Sequence, residues 1–423
     1  MFETINTTRI RVILLLIVNL LIYTNYLIFM LSFLIFSVLE VWNKQKNHKV
    51  EAYLIRAIPI NYYFFYFFST FSINPKSSIF WDMQNFLHYI KCNSYKVKYN
   101  YRFLDEILVC PETIGYGPLT EFLNFGNLNI WNTTLISAII FFIISIFFIF
   151  LSKDNLLLKT AILISPGFHF LFFSLNSDIY VLLFIVLLIS KNFKINYLLE
   201  LFLITFITLI KSYTVFLFIG LITKSLLYKE YKKAVVETAF MIFNIVILFA
   251  HYFLNSSLLP EPISFTRTFG VIHDYKIVTQ YIGFDEALVI IFLLIGFLIL
   301  FRNKLYSFHK ILNTSKTEII NKLIVLMPFC FFINLYQNWG YKFIFNSIVI
   351  FLIYKISNNN FFRFYLILLN IVSITYYSIG WGFEESILNL AILALSKFSF
   401  YLYLILSIII FQKLFITLKN VRY

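Results

Sequence analysis

Long apolar runs without a single charged residue constrain this chain more than any other feature. Three of them, 12–39, 135–151 and 364–379, approach or exceed the ~20 residues that a helix needs to cross ~30 Å of hydrocarbon. Lipid offers the backbone no hydrogen bonds, so a spanning segment must be a helix or part of a closed barrel, and the ~10-residue alternation of a barrel strand is absent. The sequence therefore predicts an all-α polytopic membrane protein.

Similar runs recur along the 423 residues, which are 61% hydrophobic and only 13% charged. Spans are predicted at 12–39, 57–73, 133–152, 157–175, 177–190, 196–210, 212–223, 234–254, 286–301, 320–336, 341–355, 362–380 and 398–412. These make about 12 or 13 crossings. Polar stretches at 74–132 and 255–285 interrupt them, which predicts one transmembrane domain, 1–423, with two large loops.

The formal net charge of +14 comes from short clusters of Lys and Arg between the apolar runs. A nucleic-acid surface would gather them on one face of a folded domain, so no nucleic-acid partner is predicted. Cations collect on the cytoplasmic side of a membrane protein. Alternation of the spans assigns that side to Lys153, Lys159, Lys191, Lys194, 224–233, 302–322, Lys355, Arg363, Lys413, Lys419 and Arg422. Loops 74–132 and 255–285 are then extracytoplasmic, in a cell inner (plasma) membrane.

The orientation of the N-terminus has two alternatives. If 12–39 and 57–73 both cross, the basic cluster from Lys44 to Arg56 is inside and the N-terminus is outside. If 57–73 lies along the interface instead, Arg9 and Arg11 are inside. The charge count favours the first alternative.

The first outer loop contains the residues best suited to chemistry. Asp82 follows Trp81 close to an apolar segment, where a partly desolvated carboxylate can take a proton from a bound hydroxyl. Its alternative role is a solvated helix N-cap. Cys92 and Cys110 lie in the same loop, where an oxidising compartment allows a disulfide worth ~3 kcal/mol, the alternative being two unpaired thiols.

Polar residues also stand at the predicted outer ends of spans. Asp178 occupies a junction between two spans, where it serves either a ligand or an interhelical hydrogen bond. Lys211 and Lys342 are cations against the positive-inside bias. Such a lysine either binds a phosphate as a compact charge or extends its ammonium to the lipid headgroups. Arg267 in the second loop is a further candidate for the same site.

No cofactor is predicted. The chain has no P-loop or Gly-rich dinucleotide fingerprint, and no His, Cys and carboxylate spacing typical of zinc. Glu112, in the same loop as Asp82, could help to hold a divalent metal, but a metal site is not predicted.

Five short motifs occur in a recognisable order along about residues 75–350. They are Asp82 followed by Tyr89, then Tyr116-Gly117-Pro118-Leu119, Leu175-Asn176-Ser177-Asp178, Lys211-Ser212-Tyr213 and Tyr341-Lys342-Phe343-Ile344-Phe345. Together they resemble the GT-C superfamily of membrane glycosyltransferases, most closely the bacterial mannosyltransferase- and arabinofuranosyltransferase-like branch that uses polyprenyl-phosphate sugars. The chain departs from that pattern at Gly117, Leu175, Ser177 and Lys342.

The resemblance implies a GT-C-like helical bundle whose active site faces the extracytoplasmic side. Asp82 would deprotonate an acceptor hydroxyl on a cell-envelope glycan or lipid, and the oxygen would attack the anomeric carbon of a polyprenyl-phosphate-linked sugar with inversion. Cations would stabilise the leaving lipid phosphate. The substrate-binding residues implied are Tyr89, Tyr116, Asn176, Asp178, Lys211, Arg267, Tyr341 and Lys342.

Three other functions fit a polytopic chain. A lipid or solute transporter or flippase usually shows repeat symmetry and broken helices near the midplane, whereas here the distinctive polar residues are predicted on one side. An O-antigen-type polymerase also handles lipid-linked glycans. A non-catalytic membrane scaffold needs no carboxylate in a lipid-accessible cleft.

Overall fold

The computed structural model describes residues 2–23, 26–42, 49–73, 100–103, 106–109, 156–165, 168, 171, 178–189, 196–255, 268–269, 317–335, 338–339, 344–372, 401 and 403–415. These residues are nearly all helical, which confirms the all-α class. The helices are α1 Phe2–Leu21, α2 Tyr26–Trp42, α3 Lys49–Ile73, α4 Leu156–Leu163, α5 Asp178–Ile189, α6 Tyr197–Ile210, α7 Phe216–Leu227, α8 Tyr231–Asn255, α9 Thr317–Leu335, α10 Ile344–Ile356, α11 Asn360–Val372 and α12 Tyr403–Phe415.

Most predicted spans in this part of the chain fold as single helices. The segments 177–190, 196–210 and 320–336 correspond to α5, α6 and α9, with bounds that differ by no more than three residues. The predicted spans 133–152 and 286–301 lie outside the described residues.

The prediction of one span at 12–39 is wrong, because the run forms two helices, α1 and α2, separated by residues 22–25. Residues 22–25 are all neutral, so the absence of charge did not reveal the break between the two helices. The start of α3 lies beside α1 near Arg11, so if α2 continued along the axis of α1 its end would lie roughly 50 Å from that start, given 1.5 Å per helical residue. Residues 43–48 extend to at most roughly 25 Å. The second helix must therefore run back along the first.

Helix α3 runs parallel to α1. Arg11 forms a 3.2 Å ion pair with Glu51, and eight residues further along α1 the Asn19 side chain accepts a 3.0 Å hydrogen bond from Asn61. The contact nearer the C-terminal end of α1 is therefore also the contact nearer the C-terminal end of α3. The start of α1 and the start of α3 consequently lie at the same end of the bundle.

Helix α4 continues this parallel arrangement. The Thr160 hydroxyl donates to the carbonyl oxygen of Ile55 at 3.4 Å, and the Tyr63 hydroxyl donates to the carbonyl oxygen of Leu163. The Tyr63 ring also meets Phe168 edge-on at 6.3 Å. The last residue of α4 therefore lies at the end of the bundle at which α3 finishes.

Helices α6 and α8 are parallel, with α7 antiparallel to both. The Tyr197 hydroxyl of α6 donates to the carbonyl oxygen of Lys233 at 3.3 Å, and Asn244 of α8 donates to the Thr205 hydroxyl at 3.2 Å. A Schellman cap ends α7, with Lys229 in the left-handed region at φ 56° and hydrogen bonds from Lys229 N to Leu226 O and from Glu230 N to Ser225 O. This cap turns the chain directly into α8.

Helices α7 and α9 make the closest antiparallel contact. Phe216 stacks on Phe332 at 4.6 Å, and the Tyr228 hydroxyl, at the other end of α7, donates to Asn321. Between them, a Cβ added at Gly220 would overlap the backbone oxygen of Val325. Only glycine allows this approach, and small residues serve the same purpose where membrane helices pack closely.

These directions define two ends of the bundle. The end where α5 begins and α6 finishes carries Asp178 and Lys211, and we call it the upper end. The opposite end carries Lys224 and Lys322, which line one cavity, and we call it the lower end.

Two short antiparallel strand pairs accompany the helices. Strands β1 Asn100–Phe103 and β2 Glu106–Val109 form a hairpin within the first long loop. Strand β3 Thr268–Phe269, from the second long loop, pairs with β4 Asn338–Trp339 between α9 and α10. The second pair fastens part of loop 255–285 to the upper end of α9.

The outer faces of several helices are apolar. On α6 and α8, Phe202 is 61% exposed, Val235 is 69% exposed and Phe249 is 69% exposed. Of the described helices, one segment, 231–251 of α8, has the length and composition of a membrane span, with a mean hydropathy of 1.9. Six shorter apolar helices lie at 178–188, 197–210, 212–227, 344–356, 360–369 and 403–415.

Candidate functional site

The candidate site is built around the turn that follows α6. Lys211 leaves the helix in an extended conformation, with φ −130° and ψ 98°, and a 3-10 turn, Ser212–Val215, leads into α7. The Thr214 hydroxyl donates to the carbonyl oxygen of Lys211 at 2.9 Å and lies 3.1 Å from the Thr208 hydroxyl. These bonds satisfy polar groups at the helix end and hold the backbone of Lys211 in place.

Lys211 and Asp178 form a buried ion pair at the upper end. The Lys211 Nζ lies 3.0 Å from the Asp178 Oδ1, and the two side chains are only 9% and 0% exposed. Asp178 is the first residue of α5, where the positive end of the helix dipole stabilises a carboxylate. Because an isolated buried charge is very unfavourable, each residue stabilises the charged form of the other.

Aromatic rings surround this pair. The Tyr213 hydroxyl lies close enough to the Asp178 carboxylate to interact with it. Its ring packs against Phe329 at 6.2 Å and Phe345 at 6.1 Å, and those two rings meet edge-on at 5.6 Å. The surrounding rings keep the local dielectric low, so the charges act more strongly than they would in water.

Two buried amides connect the neighbouring helices. Asn334 near the end of α9 and Asn346 near the start of α10 exchange reciprocal hydrogen bonds of 3.1 and 2.9 Å. Both residues are at most 1% exposed. Since Asn346 follows Phe345, this amide pair holds in register the two helices that supply the aromatic wall.

The structure unites two of the predicted site residues, Asp178 and Lys211, which are 33 positions apart in the chain. Lys211 was predicted as a cation available to a phosphate, and the structure places a carboxylate against it. The other predicted residues lie outside the described part of the chain: Asp82, Tyr89, Cys92, Cys110, Tyr116, Asn176, Arg267, Tyr341 and Lys342. Within the described part, no cluster of three His, Cys, Asp or Glu side chains is arranged to hold a metal ion.

Sequence reasoning missed three residues near this site. Asn334 and Asn346 each stand alone in an apolar run, and that isolation was a usable signal, because a buried polar side chain needs a hydrogen-bond partner. His251 is also buried, at 7% exposure. In the two hydrogen bonds between α6 and α8, the residue number on α8 is higher than that on α6 by 36 and by 39. The same differences place Lys211 level with residues 247–250 of α8, within about one helical turn of His251.

The ammonium, the carboxylate and the phenol together can bind a polar group that enters an otherwise apolar region. The lysine can bind an anion such as a phosphate, while the carboxylate accepts a hydrogen bond from a hydroxyl. In comparisons with protein-family models, curated proteins and solved structures, nothing matches this chain. The resemblance to the glycosyltransferases therefore remains an expectation based on the motifs.

Proposed function

We propose that this chain is a polytopic membrane glycosyltransferase that moves a sugar from a polyprenyl-phosphate donor to a cell-envelope glycan or lipid. The observation that carries the proposal is the buried pair of Asp178 and Lys211 at the upper end. Two separate motifs of the glycosyltransferase pattern supply these residues. Their contact agrees with a shared role in one site.

The apolar outer faces support the membrane part of the proposal. Phe202, Val235 and Phe249 are more than half exposed on adjacent helices. In water, each such side chain would remain unfavourably hydrated, whereas lipid tails solvate it. These faces support a lipid environment for the bundle, which we propose to be the inner membrane.

The depth of the pair suits a lipid-linked substrate. By the register with α8, Lys211 lies roughly 27 Å above Tyr231, at 1.5 Å per residue. If Tyr231 marks the cytoplasmic boundary, the pair is near the far boundary of a hydrocarbon layer ~30 Å thick. The phosphate of a polyprenyl carrier in the outer leaflet lies at that boundary.

In the proposed reaction, Asp82 accepts the proton of the acceptor hydroxyl while its oxygen attacks the anomeric carbon. The bond from that carbon to the phosphate oxygen breaks, its electron pair leaves with the lipid phosphate, and the configuration inverts. Lys342 and Arg267 stabilise the departing phosphate. Lys211 already shares its charge with Asp178, so in this proposal the buried pair has a positioning role: it fixes the start of α5 and the turn after α6 at the donor site.

Transfer of labelled sugar from a polyprenyl-phosphate donor to membrane acceptors tests this proposal. We expect Asp82→Asn to reduce transfer by about 10²–10⁴, the usual contribution of a general base. Asp105→Asn, the same change in the same loop, is the matched control and should retain activity. Equal transfer by wild type and Asp82→Asn would eliminate Asp82 as the base.

A transporter is the second candidate, because buried ion pairs in helical bundles also occur along substrate pathways. Reconstituted vesicles distinguish the two functions. A transporter moves the labelled lipid or solute between compartments with its covalent bonds intact, whereas a transferase yields a new labelled product. Movement without any transfer would reject the enzyme proposal.

A further inference from the structure

A second polar site lies at the lower end, about a bundle length from the ion pair of Asp178 and Lys211. A cavity of about 230 Å³ opens there between α5, α6, α7 and α9. Its polar lining consists of Glu200, Lys224, Glu318, Asn321 and Lys322, and its apolar wall is formed by leucine and valine side chains. This volume is below the ~300–1,000 Å³ of pockets for drug-sized ligands, so it suits a small polar group.

The charged residues that line the cavity carry both signs of charge. Lys322 pairs with Glu318 at 3.0 Å, and Lys224 interacts electrostatically with Glu200. Behind them Glu237, only 2% exposed, accepts a 2.9 Å hydrogen bond from Ser225 and also interacts with Lys224. In the part of the lining that the structure describes, two carboxylates face two ammonium groups, so their formal charges balance.

This charge pattern selects among small ligands. A purely anionic or purely cationic ligand would add a net charge to a lining whose two carboxylates and two ammonium groups balance each other. A zwitterion satisfies both, with its anion at Lys224 and Lys322 and its cation at Glu200 and Glu318. Asn321 adds amide N–H donors for the anion.

The lining also selects the type of cation. Quaternary ammonium groups such as choline are recognised by aromatic cages, and of the described residues that line the cavity none is aromatic. A primary ammonium instead has three N–H donors, which match carboxylate oxygens. The ligand chemistry is therefore an anion joined to a primary amine, and in the membrane placement proposed above a phosphate joined to a primary amine meets both requirements.

We propose that this cavity binds the phosphoethanolamine headgroup of a phospholipid in the cytoplasmic leaflet. Leu198, Leu199 and Leu226 are at least half exposed on α6 and α7 at the same end of the bundle, and they offer acyl chains an apolar surface. The inference rests on the membrane placement proposed above, in which the lower end is cytoplasmic. It does not depend on sugar transfer.

The test uses the purified full chain in detergent with short-chain lipids of equal tail length. We expect phosphatidylethanolamine to raise the thermal unfolding midpoint more than phosphatidylglycerol or phosphatidylcholine does. Free phosphoethanolamine distinguishes a lipid from a soluble source and should give a smaller shift at the same concentration. Equal shifts with all three lipids would overturn the proposal, as would a full shift with free phosphoethanolamine.

Variants locate the effect in the cavity. Lys224→Gln and Glu200→Gln should each weaken phosphatidylethanolamine binding by about tenfold or more, because each removes a charge-assisted hydrogen bond. Lys232→Gln, an exposed change at the lower end outside the cavity lining, is the control and should bind as wild type does. Unchanged binding by both cavity variants would contradict the assignment, and the lipid preference of wild type tests it even if a variant fails to fold.

Sugar transfer measured on the same preparations separates the two proposals. Wild type that transfers sugar but shows no lipid preference would reject only the headgroup site. Wild type that prefers phosphatidylethanolamine but transfers no sugar would reject only the glycosyltransferase.

Discussion

At the scale of single residues, burial decides what each ion pair contributes. Asp178–Lys211 and Arg11–Glu51 are both at most 9% exposed, whereas Glu230–Lys233 is nearly half exposed. Breaking a buried pair leaves an uncompensated charge in a low dielectric, which is strongly destabilising. An exposed pair is screened by solvent and contributes little.

Removing one partner of the upper pair should therefore destabilise the fold. We expect Lys211→Met to lower the free energy of unfolding by about 3–5 kcal/mol. The double variant Asp178→Asn with Lys211→Met should lose less than the sum of the two single losses, because no lone charge remains. Unfolding in detergent, followed by the helical circular dichroism signal, measures the two single variants and the double variant.

The exposed pair on α8 is the matched control. Lys233→Met, the same substitution, removes the partner of Glu230 and should change the free energy of unfolding by less than about 1 kcal/mol. If Lys211→Met were as mild as Lys233→Met, the upper pair would not be the buried contact described.

At the scale of elements, the closest approach is between α7 and α9. Gly220 allows it, since a side chain there would strike the backbone of Val325. Glycine within a helix is unfavourable by about 1 kcal/mol relative to alanine. The packing of the two helices must outweigh that local preference.

Gly220→Ala separates these two effects. Local preference alone would make the variant more stable, but we expect a loss of about 1–3 kcal/mol, because α7 and α9 must move apart. Thermal unfolding in detergent measures the difference. Leu226→Ala, at a half-exposed position of the same helix, is the control and should have a smaller effect. A stabilised Gly220→Ala variant would contradict the close contact.

At the scale of the whole molecule, the α1–α2 hairpin determines the sidedness of the N-terminal region. The start of α1, with Arg9 and Arg11, lies at the same end as the start of α3. Lys49, the first residue of α3, belongs to that end as well. All of these cations can then be cytoplasmic together, which neither of the two sequence alternatives allowed with 12–39 as one crossing helix.

Cysteine labelling tests this arrangement in intact cells. In a background with the three native cysteines replaced by serine, Lys46→Cys and Lys232→Cys should resist a membrane-impermeant maleimide and react only after permeabilisation. Ser94→Cys in the first long loop should react without it. If Lys46→Cys were labelled from outside the cell, the proposed sidedness of α1–α3 would be wrong.

The sequence by itself determined the helical class and the approximate helix positions. Both depend on local composition, because apolar length predicts a helix wherever lipid withholds backbone partners. The break between α1 and α2 was not predicted, because residues 22–25 are neutral and do not interrupt an apolar run.

Only the tertiary structure decided which polar groups meet. Asp178 and Lys211 were each identified from sequence as polar residues at predicted helix ends, but their pairing depends on how α5 packs beside the turn after α6. The Asn334–Asn346 amides and the lower cavity likewise require helices distant in sequence to pack in one particular register. Sequence spacing describes the faces of single helices, whereas the partner of a buried charge is set by the packing of the whole bundle.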